Sequence, residues 1–262
     1  MLDRCVDWLG FGSRGPVVGL HLTVDQLRVA AVRPPGRLVA IGRAAVPIEP
    51  GADPAIAIAN VRELANRLRL APGTPAVAAI EPATTALRFG NGTGAGHRHT
   101  GADVPSCHAG QPALDQAAVV ASMAGLDLVH VDVVPAALAR LASLGPLGPH
   151  GVVVRASPPW WVRAGPHYTE AVYDGSSPER PSGRCQFGIG PDANSLQWLD
   201  QWPGIDVPAP LVDLLDAGRD AVAVGAALAA FELPPLITVQ PWPEPAPLRP
   251  PPPEHRNREG DA

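Results

Sequence analysis

Lysine is absent from this chain, and every strongly basic residue is an arginine. A P-loop nucleotide triphosphatase needs a lysine against the phosphates of its substrate, so that class of enzyme is excluded. Charged residues are also scarce, at 17% of 262 residues, and the formal net charge is only −5. Because no broad basic field exists, we predict neither nucleic acid nor an anionic membrane as a partner.

Cysteines and long apolar runs are also few. Cys5, Cys107 and Cys185 lie far apart and form no C-x-x-C pair, which is typical of a reducing compartment. Residues 1–11 lack the apolar core and cleavage site of a secretion signal. No apolar run reaches the roughly 20 residues of a membrane-spanning helix. We therefore expect a cytoplasmic protein that does not insert directly into a membrane.

The hydrophobic content of 46% is ample for a buried core, and the pattern predicts an α/β protein. A helix is expected to begin at Pro54, because Asp53 can cap it and proline suits its first position, and to end before Pro72-Gly73. Around this helix, β-rich runs predict strands at residues 17–24, 27–33, 38–48 and 76–81.

Residues 90–112 are rich in Gly, Thr, His and Ser without apolar periodicity, which predicts a mobile loop. The residues from 233 onward are Pro-rich and predict a disordered tail. Between these segments the pattern predicts a strand at 126–133, a second meander at 151–157, 160–164 and 168–173, and helices at 113–124, 135–143, 192–202 and 213–231.

Four short segments follow one another in an order that is informative. Residues 8–12 read Trp-Leu-Gly-Phe-Gly and precede Val-Val-Gly-Leu at 17–20. Ala-Val-Ala-Ala-Ile-Glu-Pro at 76–82 precedes Thr-Ala-Leu-Arg at 85–88. The clearest segment, 124–140, joins Ala-Gly-Leu, an apolar strand, Asp132 and Ala-Leu-Ala-Arg. The last of the four segments is a predicted Ala-rich helix at 221–231.

These segments resemble the PilM family of type IV pilus assembly proteins, which is related to the cell-division protein FtsA. The resemblance implies a duplicated actin-like (ribonuclease H-like) fold of two lobes with mixed α/β sheets and a disordered Pro-rich tail. It implies a lead-in at 1–16, a first lobe at 17–145, a reduced second lobe at 146–232 and the tail at 233–262. Loop 90–112 stands where the family inserts a subdomain that helps bind an inner-membrane partner.

The chain departs from this family in both phosphate loops. His21 stands where the first loop has an acid, and Thr-Val-Asp-Gln at 23–26 replaces a Gly-Ser-rich turn. The second loop reads Arg-Ala-Ser-Pro-Pro at 155–159, and its prolines lack the N–H groups that a phosphate cradle needs. ATP and Mg²⁺ are therefore disfavoured, and the remaining candidates for nucleotide contact are Asp25, Asp132 and Gly225.

Few residues are candidates for metal binding, catalysis or partner contact. His97, His99, Cys107 and His108 have metal-capable side chains, but a Gly-rich segment does not fix the ligands that zinc requires, so no metal is expected. His21 and His130 lie in apolar strands and are predicted to be core residues. No G-x-S-x-G elbow exists, and no catalytic residue is assigned. Large aromatic residues dominate interface energetics, so the candidates for partner contact are Trp160, Trp161 and Trp242.

The resemblance and the lost phosphate loops together predict a non-catalytic, cytoplasmic scaffold for a type IV pilus or a related envelope assembly or secretion system. Its expected partners are membrane-anchored proteins, which would place it at the inner membrane as a peripheral component. One alternative is a divergent ATPase or small-molecule kinase of the same superfamily that uses Asp25 or Asp132. Another is an adaptor that works through its tail and its exposed tryptophans.

Overall fold

An antiparallel meander begins the fold, formed by β1 (Val17–Leu22), β2 (Gln26–Arg33) and β3 (Arg37–Ala45). This meander is the one that the sequence predicts. The structure is a computed structural model that describes residues 15–23, 26–46, 54–82, 86–90, 106–144, 152–156, 160–164, 168–173, 184–188, 202, 204–231 and 238–241.

The meander is part of a five-stranded sheet with the order β3-β2-β1-β4-β7, in which β4 is Pro75–Ile80 and β7 is Asp127–Val133. β1, β4 and β7 run parallel to one another. β4 is buried from Ala76 to Ile80, and its continuous apolar run is typical of a parallel strand covered on both faces. The carboxyl ends of the three parallel strands therefore meet at one edge of the sheet.

The second sheet repeats this plan. β8 (Val152–Ala156), β9 (Trp160–Ala164) and β10 (Tyr168–Tyr173) form a second antiparallel meander. β11 (Arg184–Gly188) lies parallel to β8, as β4 lies parallel to β1. β5 (Ala86–Gly90) pairs with β10 and completes the order β11-β8-β9-β10-β5. The predicted mixed α/β architecture with a duplicated plan is confirmed.

Helices cover both faces of the first sheet. α1 (Pro54–Arg67) and α2 (Gln111–Met123) share one hydrophobic core with the sheet. α3 (Val134–Ser143) and α5 (Ala217–Ala229) share a second core on the opposite face. α4 (Ala209–Val212) is a single turn that precedes α5. The first sheet is thus the middle layer of an α/β/α arrangement.

The amphipathic pattern of α1 explains its position. Val61 and Leu64 are buried against the sheet, whereas Ile56, which shares the apolar spacing, is exposed. The helix begins at Pro54 as predicted, and the chain turns through Arg69, which has a φ of 53°, before β4. A helix with one buried face is the pattern expected at the surface of a sheet.

α3 connects the two sheets. Every residue from Val134 to Ala142 is buried, which is typical of a helix enclosed on all sides. It contacts β7 and β4 of the first sheet, β8, β9 and β10 of the second sheet, and α5. Pro135 is tolerated because it lies in the first helical turn, where the backbone N–H has no helical acceptor.

Two glycines allow α5 to pack directly on neighbouring backbone. A Cβ atom added to Gly19 of β1 would lie 1.7 Å from the carbonyl oxygen of Ala223. A Cβ added to Gly225 of α5 would lie 2.0 Å from the carbonyl oxygen of Ala137 in α3. Both distances are far inside van der Waals contact, so these positions have no room for a side chain.

The structure differs from the sequence prediction at two short strands. β6 (Ser106–Ala109) lies within the predicted mobile loop 90–112, and β12 (Thr238–Pro241) lies within the predicted tail 233–262. They pair in parallel with each other, and Val239 packs against both the α1/α2 core and Val133. A pairing between such distant segments leaves no local periodicity, which is why the sequence pattern missed it.

Several predictions fall outside the described residues. They include the lead-in before residue 15, most of the helix over 192–202 and the tail beyond Pro241. β11 was not predicted, and the domain boundaries stay predictions. Within the part of the chain that the structure describes, no helix is long and apolar enough to span a bilayer.

Replacing either close-packed glycine should destabilise the fold. Gly19→Ala and Gly225→Ala are each expected to lower the free energy of unfolding by about 1–3 kcal/mol or more, because α5 must move away from its neighbours. Urea unfolding followed by circular dichroism measures this change. Gly110→Ser is the control, since a Cβ there meets only Pro112 Cδ at 3.8 Å and serine is accepted at a helix N-cap. Equal losses in all three variants would contradict the packing argument.

Candidate functional site

Strand register aligns four residues in one row across the first sheet. Arg28 pairs with His21, His21 with Ala79, and Ala79 with Asp132. Directly paired residues point to the same face of a sheet, and this face is the one covered by α3 and α5. The row lies near the carboxyl ends of the parallel strands, which is where α/β sheets commonly bind ligands.

Asp132 is fully buried and forms an ion pair with Arg140 of α3. Arg140 Nη1 lies 2.6 Å from Asp132 Oδ2, and both side chains are inaccessible to solvent. Asp132 Oδ1 accepts a hydrogen bond of 2.9 Å from the backbone N–H of Val133. Arg140 Nη1 also donates to the carbonyl oxygen of Gly225 at 2.9 Å. Both carboxylate oxygens are therefore bonded within the protein, and the group joins β7, α3 and α5.

A second buried ion pair connects the first turn of α5 to β2. Arg28 Nη1 donates to Asp220 Oδ1 at 2.8 Å, and Arg28 Nη2 donates to Gln26 Oε1 at 2.9 Å. Asp220 Oδ2 accepts from the backbone N–H of Asp216 at 2.9 Å. Burial raises the pKa of Asp220, and the hydrogen bonds from Asp216 and Arg28 and the positive charge of Arg28 partly offset this rise.

His21 lies between these two ion pairs in the row and is only 2% exposed. Burial, reinforced by the positive charge of Arg28, lowers the pKa of His21 to about 4. The imidazole is therefore neutral at pH 7. Its Nδ1 has no hydrogen-bond partner among the described residues. A neutral imidazole does not supply the negative charge that an acid would bring to this position.

Glu81 follows β4 at the same edge and connects the two sheets. Its Oε2 accepts a hydrogen bond of 2.8 Å from the indole Nε1 of Trp160 in β9. Glu81 is exposed as a residue, but its carboxyl tip lies against this buried tryptophan. Desolvation raises the pKa of the Glu81 carboxyl, and the hydrogen bond from Trp160 lowers it in part.

Of the three candidates for nucleotide contact, the structure describes Asp132 and Gly225. Asp132 is bonded to Arg140, and Gly225 lies at the contact between α5 and α3. Asp25 lies outside the described residues. The placement of Asp132 and Gly225 gives each of them a structural part in the core.

Of the four metal candidates, the structure describes Cys107 and His108. Cys107 and His108 lie in β6, where His108 Nδ1 is 3.3 Å from the carbonyl oxygen of Pro241. Burial raises the pKa of the Cys107 thiol, which keeps it protonated and a poor metal ligand. His97 and His99 lie outside the described residues, and within those residues no group of three or more metal-capable side chains occurs.

The aromatic candidates for partner contact differ in exposure. Trp160 is buried and bonded to Glu81, so it belongs to the core between the sheets. Trp161 is half-buried in the same strand, as alternation along a strand requires. Trp242 lies outside the described residues.

Burial of His21 agrees with its prediction as a core residue. His130 is half-buried, and burial lowers its pKa.

Sequence reasoning missed the ion-pair partners Arg28, Arg140 and Asp220. A signal was present, because each is a charged residue within a largely apolar strand or an Ala-rich helix. Charged residues are almost never fully buried unless they are paired. The pairing itself was hidden, since Arg28 and Asp220 lie 192 residues apart in the chain.

No protein-family model and no curated protein sequence matches the chain. Solved structures do, and one of them shows the fold. A chain of the PilM–PilN type IV pilus biogenesis complex matches with a TM-score of 0.54 and 16% identity, over 84% of this chain and 99% of that one. The present chain therefore has a PilM-like, actin-like fold.

Two further solved structures match at TM-scores below 0.5. The inorganic polyphosphate/ATP-glucomannokinase of Arthrobacter sp. strain KM has a TM-score of 0.42 and 13% identity, over 82% of this chain and 98% of its own. YeaZ from Pseudomonas aeruginosa has a TM-score of 0.38 and 16% identity, over 83% of this chain and 92% of its own.

The actin-like fold implies ATP and Mg²⁺ at the edge described above, but the buried polar residues that the structure describes there do not fit these ligands. A hydrated Mg²⁺ is usually held through one or two carboxylates. Asp132 and Asp220 have both oxygens bonded within the protein, and His21 is neutral. Among the described residues, no catalytic step through ATP or Mg²⁺ follows from this geometry.

The Asp132–Arg140 ion pair should be strongly coupled. Asp132→Ala and Arg140→Ala are each expected to lower the free energy of unfolding by about 3–5 kcal/mol, because each leaves one buried charge unpaired. The double variant should lose less than the sum of the two. Arg219→Ala is the control, since its pair with Asp216 is exposed and should contribute at most about 1 kcal/mol. Additive losses in urea unfolding would contradict the coupling.

Burial of neutral His21 should make the fold acid-sensitive. An unfolded histidine titrates near pH 6.5 and folded His21 near 4, so the unfolded state binds more protons between these values. Stability should fall as the pH drops from 6.5 towards 4, by up to about 3 kcal/mol from this residue, with no contribution above 6.5. His21→Gln should flatten the dependence in urea unfolding between pH 7 and 4. Parallel curves for both proteins would contradict this assignment.

Proposed function

We propose that the chain is a non-catalytic scaffold in a type IV pilus or related envelope assembly or secretion system. The observation that carries the proposal is the fold, which matches nearly the whole length of a chain from the PilM–PilN complex. A protein of this class works by presenting surfaces to other proteins. The expected partners are membrane-anchored assembly components, with the chain on the cytoplasmic side of the inner membrane as a peripheral protein.

The absence of ATP hydrolysis is part of the same proposal. The buried charges at the carboxyl edge of the first sheet form two complete pairs, Arg28–Asp220 and Arg140–Asp132. Binding of a metal to either acid would break a desolvated pair and leave an arginine unpaired, which is costly. These pairs support the proposal that the charged residues at this edge stabilise the core, at the place where catalytic relatives would bind nucleotide.

The direct test is calorimetric titration of the full chain with Mg-ATP. We expect no binding heat at millimolar nucleotide, because Asp132 and Asp220 are already bonded within the protein. A nucleotide-binding protein of the actin-like fold serves as the positive control. Micromolar, Mg²⁺-dependent binding would contradict the pseudo-ATPase assignment, and turnover that disappears in Asp25→Asn would favour a divergent ATPase or kinase instead.

The scaffold assignment is tested separately with a PilN-like membrane-anchored protein. Its cytoplasmic N-terminal segment, fused to an affinity tag, should retain the full chain on a column. The same segment in scrambled order is the matched control. Retention by both segments or by neither would contradict the proposed partner class.

A further inference from the structure

The short strands β6 and β12 form a two-stranded parallel sheet outside the two larger sheets. Within the described residues, each of them pairs only with the other. The register places Val239 of β12 beside Cys107 of β6, and Pro241 beside Ala109. β12 also lies against β7. The pairing therefore brings the last described strand of the chain onto the core around the first sheet.

The two strands differ in how firmly they are held. Cys107 and Ala109 of β6 are 4% and 0% exposed, and α2 begins one residue after β6 ends. In β12, by contrast, Val239 is half-buried, and Gln240 and Pro241 are exposed. β6 is therefore built into the core, whereas β12 is attached to it from outside through one described apolar side chain.

The other interactions that the structure describes for β12 are weak ones. Parallel pairing is slightly less stable per residue than antiparallel pairing, and an isolated two-stranded sheet is marginal in water. Pro241 has no N–H group to donate to the ladder, and its carbonyl oxygen lies 3.3 Å from His108 Nδ1 near the protein surface. Segments with few buried apolar contacts and exposed backbone hydrogen bonds open locally while the rest of a protein stays folded. β12 has both properties.

Release of β12 would uncover an apolar slot beside β6. Cys107, Val133 and Ala136 form a small buried cluster, and Val239 packs against it from β12. Without β12, the edge of β6 would present unpaired backbone groups next to this cluster. Such an edge accepts an extended segment by strand addition, and the neighbouring pocket decides which side chain fits. The slot is thus defined by the edge of β6 and these three buried residues.

We propose that β12 is a detachable strap, an internal ligand that occupies this strand-binding slot and blocks it. The strap opens in the folded protein, and the open slot takes an extended segment parallel to β6 with a branched apolar residue opposite Cys107. Its occupant is the chain's own segment 238–241. An external segment of the same pattern must displace the strap, whose tether gives it a high effective concentration. The proposal does not depend on the scaffold function.

Cys107 measures opening of the strap, because its side chain is buried and Val239 packs on its cluster. The full chain carries Cys5→Ser and Cys185→Ser, so that Cys107 is its only thiol. We expect a thiol reagent to label Cys107 at least about tenfold faster than global unfolding permits. The rate should change little in dilute urea, because local opening exposes little surface. Labelling that follows the urea dependence of global unfolding would overturn the proposal.

Val239→Asp should release the strap, because burying an unpaired carboxylate in an apolar cluster is costly. Cys107 should then be labelled at least about tenfold faster than in the parent chain, while circular dichroism shows a folded protein. Gln240→Asp is the matched control, since it adds the same charge at an exposed position of the same strand. It should change the rate by less than about twofold.

Val239→Ala is measured beside these variants, so that the comparison does not depend on Val239→Asp remaining folded. It removes part of the packing without adding a charge and should accelerate labelling more than Gln240→Asp does. Equal rates in the Val239 variants and the Gln240 control would overturn the proposal.

The slot is tested with a fluorescein-labelled peptide that has the sequence of residues 236–244, measured by fluorescence anisotropy. It should bind the Val239→Asp chain at least about tenfold more tightly than the parent chain, in which the attached strap competes. The matched peptide, with aspartate in place of its valine, should not bind. Equal binding of the two peptides, equal affinity of the two chains, or no binding to the folded variant would each overturn the proposal.

Discussion

The contact of Arg140 with Asp132 and the Gly225 carbonyl is the interaction on which the arrangement of the core depends. A desolvated guanidinium is tolerated only if its charge and its N–H groups find partners, and here one partner lies on β7 and another on α5. Gly225 permits the two helices to approach closely enough for this bond. Because α3 also packs on the second sheet, the same contact relates α5, the first sheet and the second sheet to one another.

At the carboxyl edge of the first sheet, buried polar side chains join the sheet to the helices that cover it. His21, Arg28 and Asp132 lie in one row, as the strand register of this mixed sheet requires. The charges of Arg28 and Asp132 are balanced by Asp220 and Arg140 from the covering helices. Each pair joins a strand of the first sheet to a covering helix, Arg28 of β2 to α5 and Asp132 of β7 to α3.

Much of the fold was predictable. The meander β1–β3, the start of α1 at Pro54, the burial of β4 and the second meander all follow from local apolar periodicity and turn residues. β6 and β12 did not follow, because each is four residues long and gains its stability from the other. Of the candidate site, Asp132 was singled out from the sequence, but its partner Arg140 was not, although both lie in the segment that resembles PilM.

The sequence by itself determined the order of the elements, the α/β class and the presence of charges in otherwise apolar segments, because these properties depend on neighbouring residues. Only the tertiary structure decided which charges meet. Arg28 finds Asp220 from the other end of the chain, and Asn60 and Arg67 reach the edge of β3 from α1. Such contacts depend on how helices dock on a sheet, and docking is set by the packing of the whole core, which no local pattern contains.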